Sequence, residues 1–152
     1  MTAHDHRANV PGCFRCDLSD AEIGAGLEVV IPASAWFTSN RFPRNVHHHT
    51  AMKEQLRWLA RAAYAAAGRP VVTVAGLVDV LWTIGYPTAG EADASNSQPV
   101  CKALLDQYVR EGLLGGDSQL HIRRESWEHS PLRAPKGTHT VRLTITALPT
   151  ED

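Results

Sequence analysis

The run Val71 to Ile84 (VVTVAGLVDVLWTI) is apolar in both phases of a two-residue period. Val72, Val74, Val78, Val80, Trp82 and Ile84 fall in one phase, and Val71, Ala75, Leu77 and Leu81 in the other. A strand with apolar side chains on both faces belongs in the middle of a sheet, shielded from water by its neighbours. The expectation is therefore a β-protein or a mixed protein built around this segment. Asp79 interrupts the run. It reads either as a carboxylate facing a metal or as a residue facing a sheet edge.

The flanking segments supply the other elements. Leu27 to Ile31 (LEVVI) predicts a short strand closed by Pro32, followed by a Pro-, Ser- and Asn-rich loop to Asn45. A helix is expected from about His49 to Ala67, with Met52, Leu56, Leu59, Ala63 and Ala66 on one side. Gly68 and Arg69-Pro70 stop it. After a loop at 85–95, a second helix is expected from Pro99 to Glu111, burying Cys101, Leu104, Leu105 and Tyr108 and ending at Gly112. Leu120 to Arg124 predicts a short strand, 125–138 a polar loop with two prolines, and Thr140 to Ala147 a half-buried strand. The order is β-α-β-α-β-β. The fold class is α+β, a small mixed β-sheet with two helices packed on one face. The 152 residues, 43% hydrophobic, suit one domain at 27–148, with an extension at 1–26 and a tail at 149–152.

Charge and cysteine content narrow the function. Fifteen Lys and Arg against sixteen Asp and Glu give a net charge of -1, which excludes a globally basic protein but not a local basic face. Three cysteines, an odd count, disfavour a disulfide framework. The first residues, MTAHDHRANVPGCFRC, lack an apolar signal core, and no apolar run reaches membrane-spanning length. A soluble cytoplasmic protein is expected. Cys13 and Cys16 with His4 and His6 form the parts of a zinc site at poor spacing, against a plain tail with free thiols. His47-His48-His49 reads as a polar loop at the helix start.

The stretch from Asp93 to Ser118 (DASNSQPVCKALLDQYVREGLLGGDS) carries the chemistry. Asp93 and Asn96 precede the second helix. Lys102 and Asp106, four apart, share a helix face that differs from the apolar stripe. Asp117 follows the next turn. Carboxylates gathered from a turn, a helix face and a loop suit Mg²⁺ or Mn²⁺, and an ammonium beside them suits a phosphoryl transition state. The same residues equally suit turn, cap and solvated-pair roles.

The pattern D-x-x-N-x-x-P-x-x-K-A-x-x-D, followed by G-L-L-x-x-D-S, resembles the RusA family of Holliday junction resolvases, and most nearly its phage-type branch. The opening, Ile31-Pro32 and then Ser39-Asn40-Arg41 before a long helix, is similar to the family's I-P…S-x-N-R. The resemblance covers roughly residues 27–147. It implies a Mg²⁺-dependent, homodimeric endonuclease of branched DNA, with Mn²⁺ able to substitute, serving recombination and repair. It implies Asp93, Lys102 and Asp117 as catalytic residues, Asp93, Asp117 and Asp106 as metal ligands, and Asn96 as a further motif position. Ser95 stands where many members have a second aspartate, Gly116 precedes Asp117 where a second acid is common, and Gly90-Glu91-Ala92 stands just before Asp93 where the classical member is rich in arginine. These departures keep a second reading open, a branched-DNA-binding protein of the same fold with weak or no catalysis.

DNA contact needs cations facing phosphates. Residues 41–69 hold Arg41, Arg44, Lys53, Arg57, Arg61 and Arg69 against the single acid Glu54, and Arg123 and Arg124 begin a second basic group. With Asn40 these form the expected DNA surface, the alternative being ordinary solvated residues. Trp36 and Phe37 read either as a wedge at a branch point or, more simply, as side chains stapled to the core.

Overall fold

The computed structural model describes residues 22–72, 77–90, 92–114 and 122–147. Four strands, β1 (Glu22–Pro32), β2 (Val78–Gly85), β3 (Ile122–His129) and β4 (Thr138–Ala147), form one sheet in the order β1-β4-β2-β3. β4 is antiparallel to β1 and β2, and β2 is parallel to β3. Two helices, α1 (Val46–Ala66) and α2 (Gln98–Glu111), complete the chain order β-α-β-α-β-β. The α+β class, the mixed sheet and the central place of β2 agree with the sequence reading.

One face of the sheet is apolar. Leu27, Val29 and Ile31 of β1, Val78, Val80, Trp82 and Ile84 of β2, and Val141, Leu143 and Ile145 of β4 are buried. They join Met52, Leu56, Ala60 and Tyr64 of α1 and Val100, Cys101, Leu104 and Tyr108 of α2 in a single core. The strand register aligns Leu27, Leu143, Trp82 and Trp127 in one row across all four strands. The alternate residues, such as Glu28, Thr83 and Arg142, lie on the uncovered face at least partly open to solvent.

Several boundaries differ from expectation, each for a physical reason. β1 begins at Glu22, inside the segment expected to be an extension, because its pairing with β4 tolerates an irregularity between Ile23 and Leu27. The strand expected from Val71 starts only at Val78. Val72 instead makes a lone parallel bridge with Leu114, its N–H donating to the Leu113 carbonyl at 2.8 Å. The Tyr64 hydroxyl donates to the Pro70 carbonyl, so this segment is tied to the helix ends. Positions 73–76 lie outside the described residues.

The strand expected at 120–124 continues through Glu125-Ser126-Trp127-Glu128 to His129, where a polar loop was expected. β3 is an edge strand, where charged residues are tolerated. A register shift opposite Val78 and Asp79 breaks strict alternation, so Ile122, Glu125 and Trp127 turn inward out of simple phase. α1 begins at Val46, three residues early, because the Asn45 side chain caps it by accepting from the His47 and His48 amides at 2.8 and 3.2 Å. The three histidines are thus its first turn. Its buried stripe steps by four through Met52, Leu56, Ala60 and Tyr64, while Ala66 is exposed. α2 buries Cys101, Leu104, Leu105 and Tyr108 as expected, and Gly112 ends it in the left-handed conformation (φ 109°). Gly85 is required where β2 meets the start of β4, since a Cβ there would fall 2.0 Å from Thr140 Oγ1.

Leu143 sits fully buried at the crossing of this core. Leu143→Ala is expected to cost about 2–5 kcal/mol of stability in urea unfolding. A loss below about 1 kcal/mol would place the core elsewhere.

Candidate functional site

The site lies where the carboxyl ends of the parallel strands β2 and β3 meet the start of β4. From Gly85 the chain runs through a loop to Asp93, which caps a single 3-10 turn (Ala94–Ser97) leading directly into α2. Asp93 is exposed, and its Oδ1 accepts from the Ser95 amide at 3.0 Å and the Ser95 hydroxyl at 2.9 Å. These two bonds, helped by the nearby His129, hold the carboxyl below the usual aspartate range. Among the described residues no donor reaches its Oδ2. The result is an oriented, ionised carboxylate with one oxygen facing solvent.

The same turn gathers the opening loop. The Asn96 amide donates to the Asp93 carbonyl at 3.0 Å, and the Asn96 carbonyl accepts from the Ser39 amide at 2.9 Å. Ser39-Asn40-Arg41 is therefore fixed against the Asp93 turn. The Arg41 amide closes this loop onto Thr38, leaving the Asn40 and Arg41 side chains exposed. Ser97 is buried, its hydroxyl donating to the Ala94 carbonyl at 2.6 Å, which seats the turn on α2.

An aromatic and imidazole cluster supports the loop from below. His129, at the end of β3, hydrogen-bonds through Nε2 with the Ala92 carbonyl, next to Asp93. Its ring stacks on Tyr86 at 4.9 Å. Tyr86 meets His139 edge-on at 5.3 Å, and His139 lies flat on Trp36 at 3.8 Å. Burial pushes the Tyr86 hydroxyl pKa up and the His139 imidazole pKa down, so both rings favour their neutral forms. His139 Nδ1 is buried with no hydrogen-bond partner among the described residues. A cleft of about 270 Å³ opens beside this cluster, lined by Tyr86, Thr88, His129 and Arg133 among others. Of the two readings for the aromatics, packing prevails: Phe37 is buried and Trp36 packs against the core. Tyr86, His129 and His139 carry no sequence motif. Their signal is positional, since each sits at the loop end of a strand.

The other expected residues are distributed as follows. Lys102 and Asp106 share the solvent face of α2, 75% and 55% exposed and 4.0 Å apart. Asp106 lies about 12 Å along the axis from the start of α2, too far along the helix to share the Asp93 turn. Asp117 lies outside the described residues. Asp79 is not at a sheet edge: it sits in central β2, and Arg123 clasps it with two hydrogen bonds of 3.0 and 2.8 Å. That clasp lowers the Asp79 pKa and raises that of Arg123, so Arg123 is committed within the fold. Arg57 pairs with Glu54, and Arg61 with Glu111 at 3.5 Å. Arg44 and Arg124 are exposed, and Lys53 is half-buried. Cys101 is buried, its thiol pushed up to about 12 by burial, which leaves it inert as a nucleophile. Among the described residues no three Asp, Glu, His or Cys side chains gather closely enough to hold a metal ion. No helix among them is long and apolar enough to cross a membrane.

No protein-family model matches the chain, and no curated protein matches it.

Ser95→Ala removes one of the two bonds that hold Asp93. The Asp93 carboxyl pKa, followed by ¹³C NMR titration, is expected to rise toward the ordinary aspartate value. The sign follows from the bond favouring the ionised form. An unmoved pKa would mean that the Ser95 hydroxyl does not hold the carboxylate in solution.

Proposed function

We propose that this protein is a Mg²⁺-dependent, structure-selective endonuclease that cleaves branched DNA as a symmetric dimer in the cytoplasm. The observation that carries the reading is the bond between Ser39 and Asn96. The two segments that resemble the RusA family, far apart in sequence, are in contact through it, beside an ionised carboxylate whose Oδ2 has no donor among the described residues.

Asp93 fits a divalent cation by its chemistry: a hard, exposed carboxylate oxygen, kept charged by Ser95. Asp93 and Asp117 would hold the ion. When bound, it supplies positive charge against the extra negative charge of a phosphodiester under attack. The chain's own residues do the rest. Ser95 orients the carboxylate and keeps it ionised. Lys102 presents its ammonium to solvent on the second turn of α2, where it neutralises charge on the phosphate or on the leaving oxygen. Asp106 restrains that ammonium from the next turn and in this reading is a positioning residue. Asn40, Arg41 and Arg44 meet phosphates beside the turn, and Lys53, Arg57 and Arg61 continue a cationic line along α1. A C2 dimer would set two such sites against the two strands of a four-way junction.

A second reading is favoured by one specific observation. The Ser95 hydroxyl, at the position of a second aspartate in many members of the resembled family, is occupied by Asp93 and adds no carboxylate. With fewer ligands, the protein would hold branched DNA without cutting it.

A synthetic four-way junction tests both. Wild-type protein is expected to cut it in Mg²⁺ or Mn²⁺. Asp117→Asn and Asp93→Asn are each expected to lower the rate about 100-fold or more while leaving junction affinity within a few-fold of wild type. Full cleavage by Asp117→Asn would remove the proposed mechanism. Tight binding with no product under either metal would establish the binding-only reading.

A further inference from the structure

The solvent side of α1 carries a feature that the core does not require. Trp58 is 68% exposed, while the helix anchors itself through Met52, Leu56, Ala60 and Tyr64. A large aromatic ring left this open on a helix is an uncommon use of tryptophan. The ring is not bare. The Arg61 guanidinium lies 5.9 Å from its centroid, within cation–π range. Arg57 precedes it, and Glu54 and Gln107 complete a shallow cleft of about 200 Å³ around it.

Both guanidinium groups are held in place. Glu54 pairs with Arg57, and Glu111, reaching from α2, pairs with Arg61 at 3.5 Å. Lys53, Arg57 and Arg61 recur at four-residue intervals, so one row of cations runs along the helix beside the ring. The surroundings say what kind of ligand suits this arrangement. A contact between proteins is built on a contiguous apolar centre. Here the only other large exposed apolar residue of α1 among the described residues is Val46, about 18 Å away along the axis. The three cations outnumber the two acids paired with them, Glu54 and Glu111, and a ring with a guanidinium over it matches a nucleotide, whose base takes the place of Arg61 on the ring while its phosphates meet the cation row. In a duplex both faces of a base are covered by its neighbours, so only an unstacked base can use the ring.

We propose that Trp58, flanked by Arg57 and Arg61, is a stacking platform for an unpaired nucleotide of DNA. This deepens the DNA-binding reading above and rests on it. It assigns to the substrate a feature that paired arms lack: exposed bases, as at an open branch point or a single-stranded segment.

The test is a tryptophan-fluorescence titration of the full chain with oligothymidylate, and with a blunt duplex of the same length, at low salt. Oligothymidylate is expected to quench the emission of the wild type. Trp58→Ala should abolish that quenching and weaken oligothymidylate binding about 10-fold or more, within the range of one base stacked on an aromatic ring. Trp58→Phe should recover part of the affinity, and blunt-duplex affinity should stay the same in all three proteins. Equal oligothymidylate affinity in wild type and Trp58→Ala, with the duplex still bound, overturns the platform and leaves the DNA-binding reading standing. Failure of the wild type to bind single strands, duplex or junction overturns both. Conversion of a dimer to a monomer by Trp58→Ala in sedimentation, with DNA binding unchanged, also overturns the platform and assigns the ring to a contact between copies.

Discussion

Everything in this molecule depends on one apolar sheet face being covered once. The row Leu27, Leu143, Trp82 and Trp127 crosses all four strands, and both helices bury their stripes in the same core. Because the cover lies on one side only, the strands of the other face can carry threonine and charge without cost to the core. The same arrangement sets the direction of the chain. β2 and β3 are parallel, so the link between them must be a crossover, and α2 is that crossover. The loop that feeds α2 therefore leaves the carboxyl end of a central strand, and Asp93 is carried there by topology.

The site is built by backbone contacts more than by side-chain chemistry. A single amide from Ser39 joins the loop before α1 to the turn before α2, and His129 pins the Ala92 carbonyl to the end of β3. Three separate stretches of chain thus converge on one exposed carboxylate. Its orientation is local, made by Ser95 two residues on. This division explains why a turn with only one carboxylate can still be well defined: the Ser95 amide and hydroxyl both serve it. The cations are less uniform than their spacing suggests. Arg123 is paired with Asp79, Arg57 with Glu54 and Arg61 with Glu111, whereas Arg41 and Arg44 are exposed with no ion pair among the described residues.

Much of the fold was legible from pattern. The stripe Cys101, Leu104, Leu105 and Tyr108 identified the buried side of α2, and Gly112 its end, because both follow directly from helix geometry. The two-phase apolar run identified β2 as central, yet overran its start, since hydrophobicity alone cannot separate a strand from a segment docked on helix ends as Val72 is. β3 was hidden for the opposite reason. An edge strand with a register shift, IRRESWEH, keeps no period and carries six polar residues. In the site, the Asp93 turn was readable as a motif. The cluster of Trp36, Tyr86, His129 and His139 was not, because its members come from two loops and two strands and meet only when the sheet assembles. Trp58 was unreadable for a related reason: sequence alone does not tell an exposed aromatic from a core one.

The central claim is that Asp93 and Asp117 share one divalent ion. Paramagnetic line broadening tests it most directly, with ¹⁵N-labelled protein titrated with Mn²⁺ at well below one equivalent. The account predicts that the amides of residues 94–96 and 116–118 broaden first and together, and that both sets stay sharp in Asp93→Asn. Broadening confined to other acidic positions, or broadening at 116–118 that persists in Asp93→Asn, would contradict it.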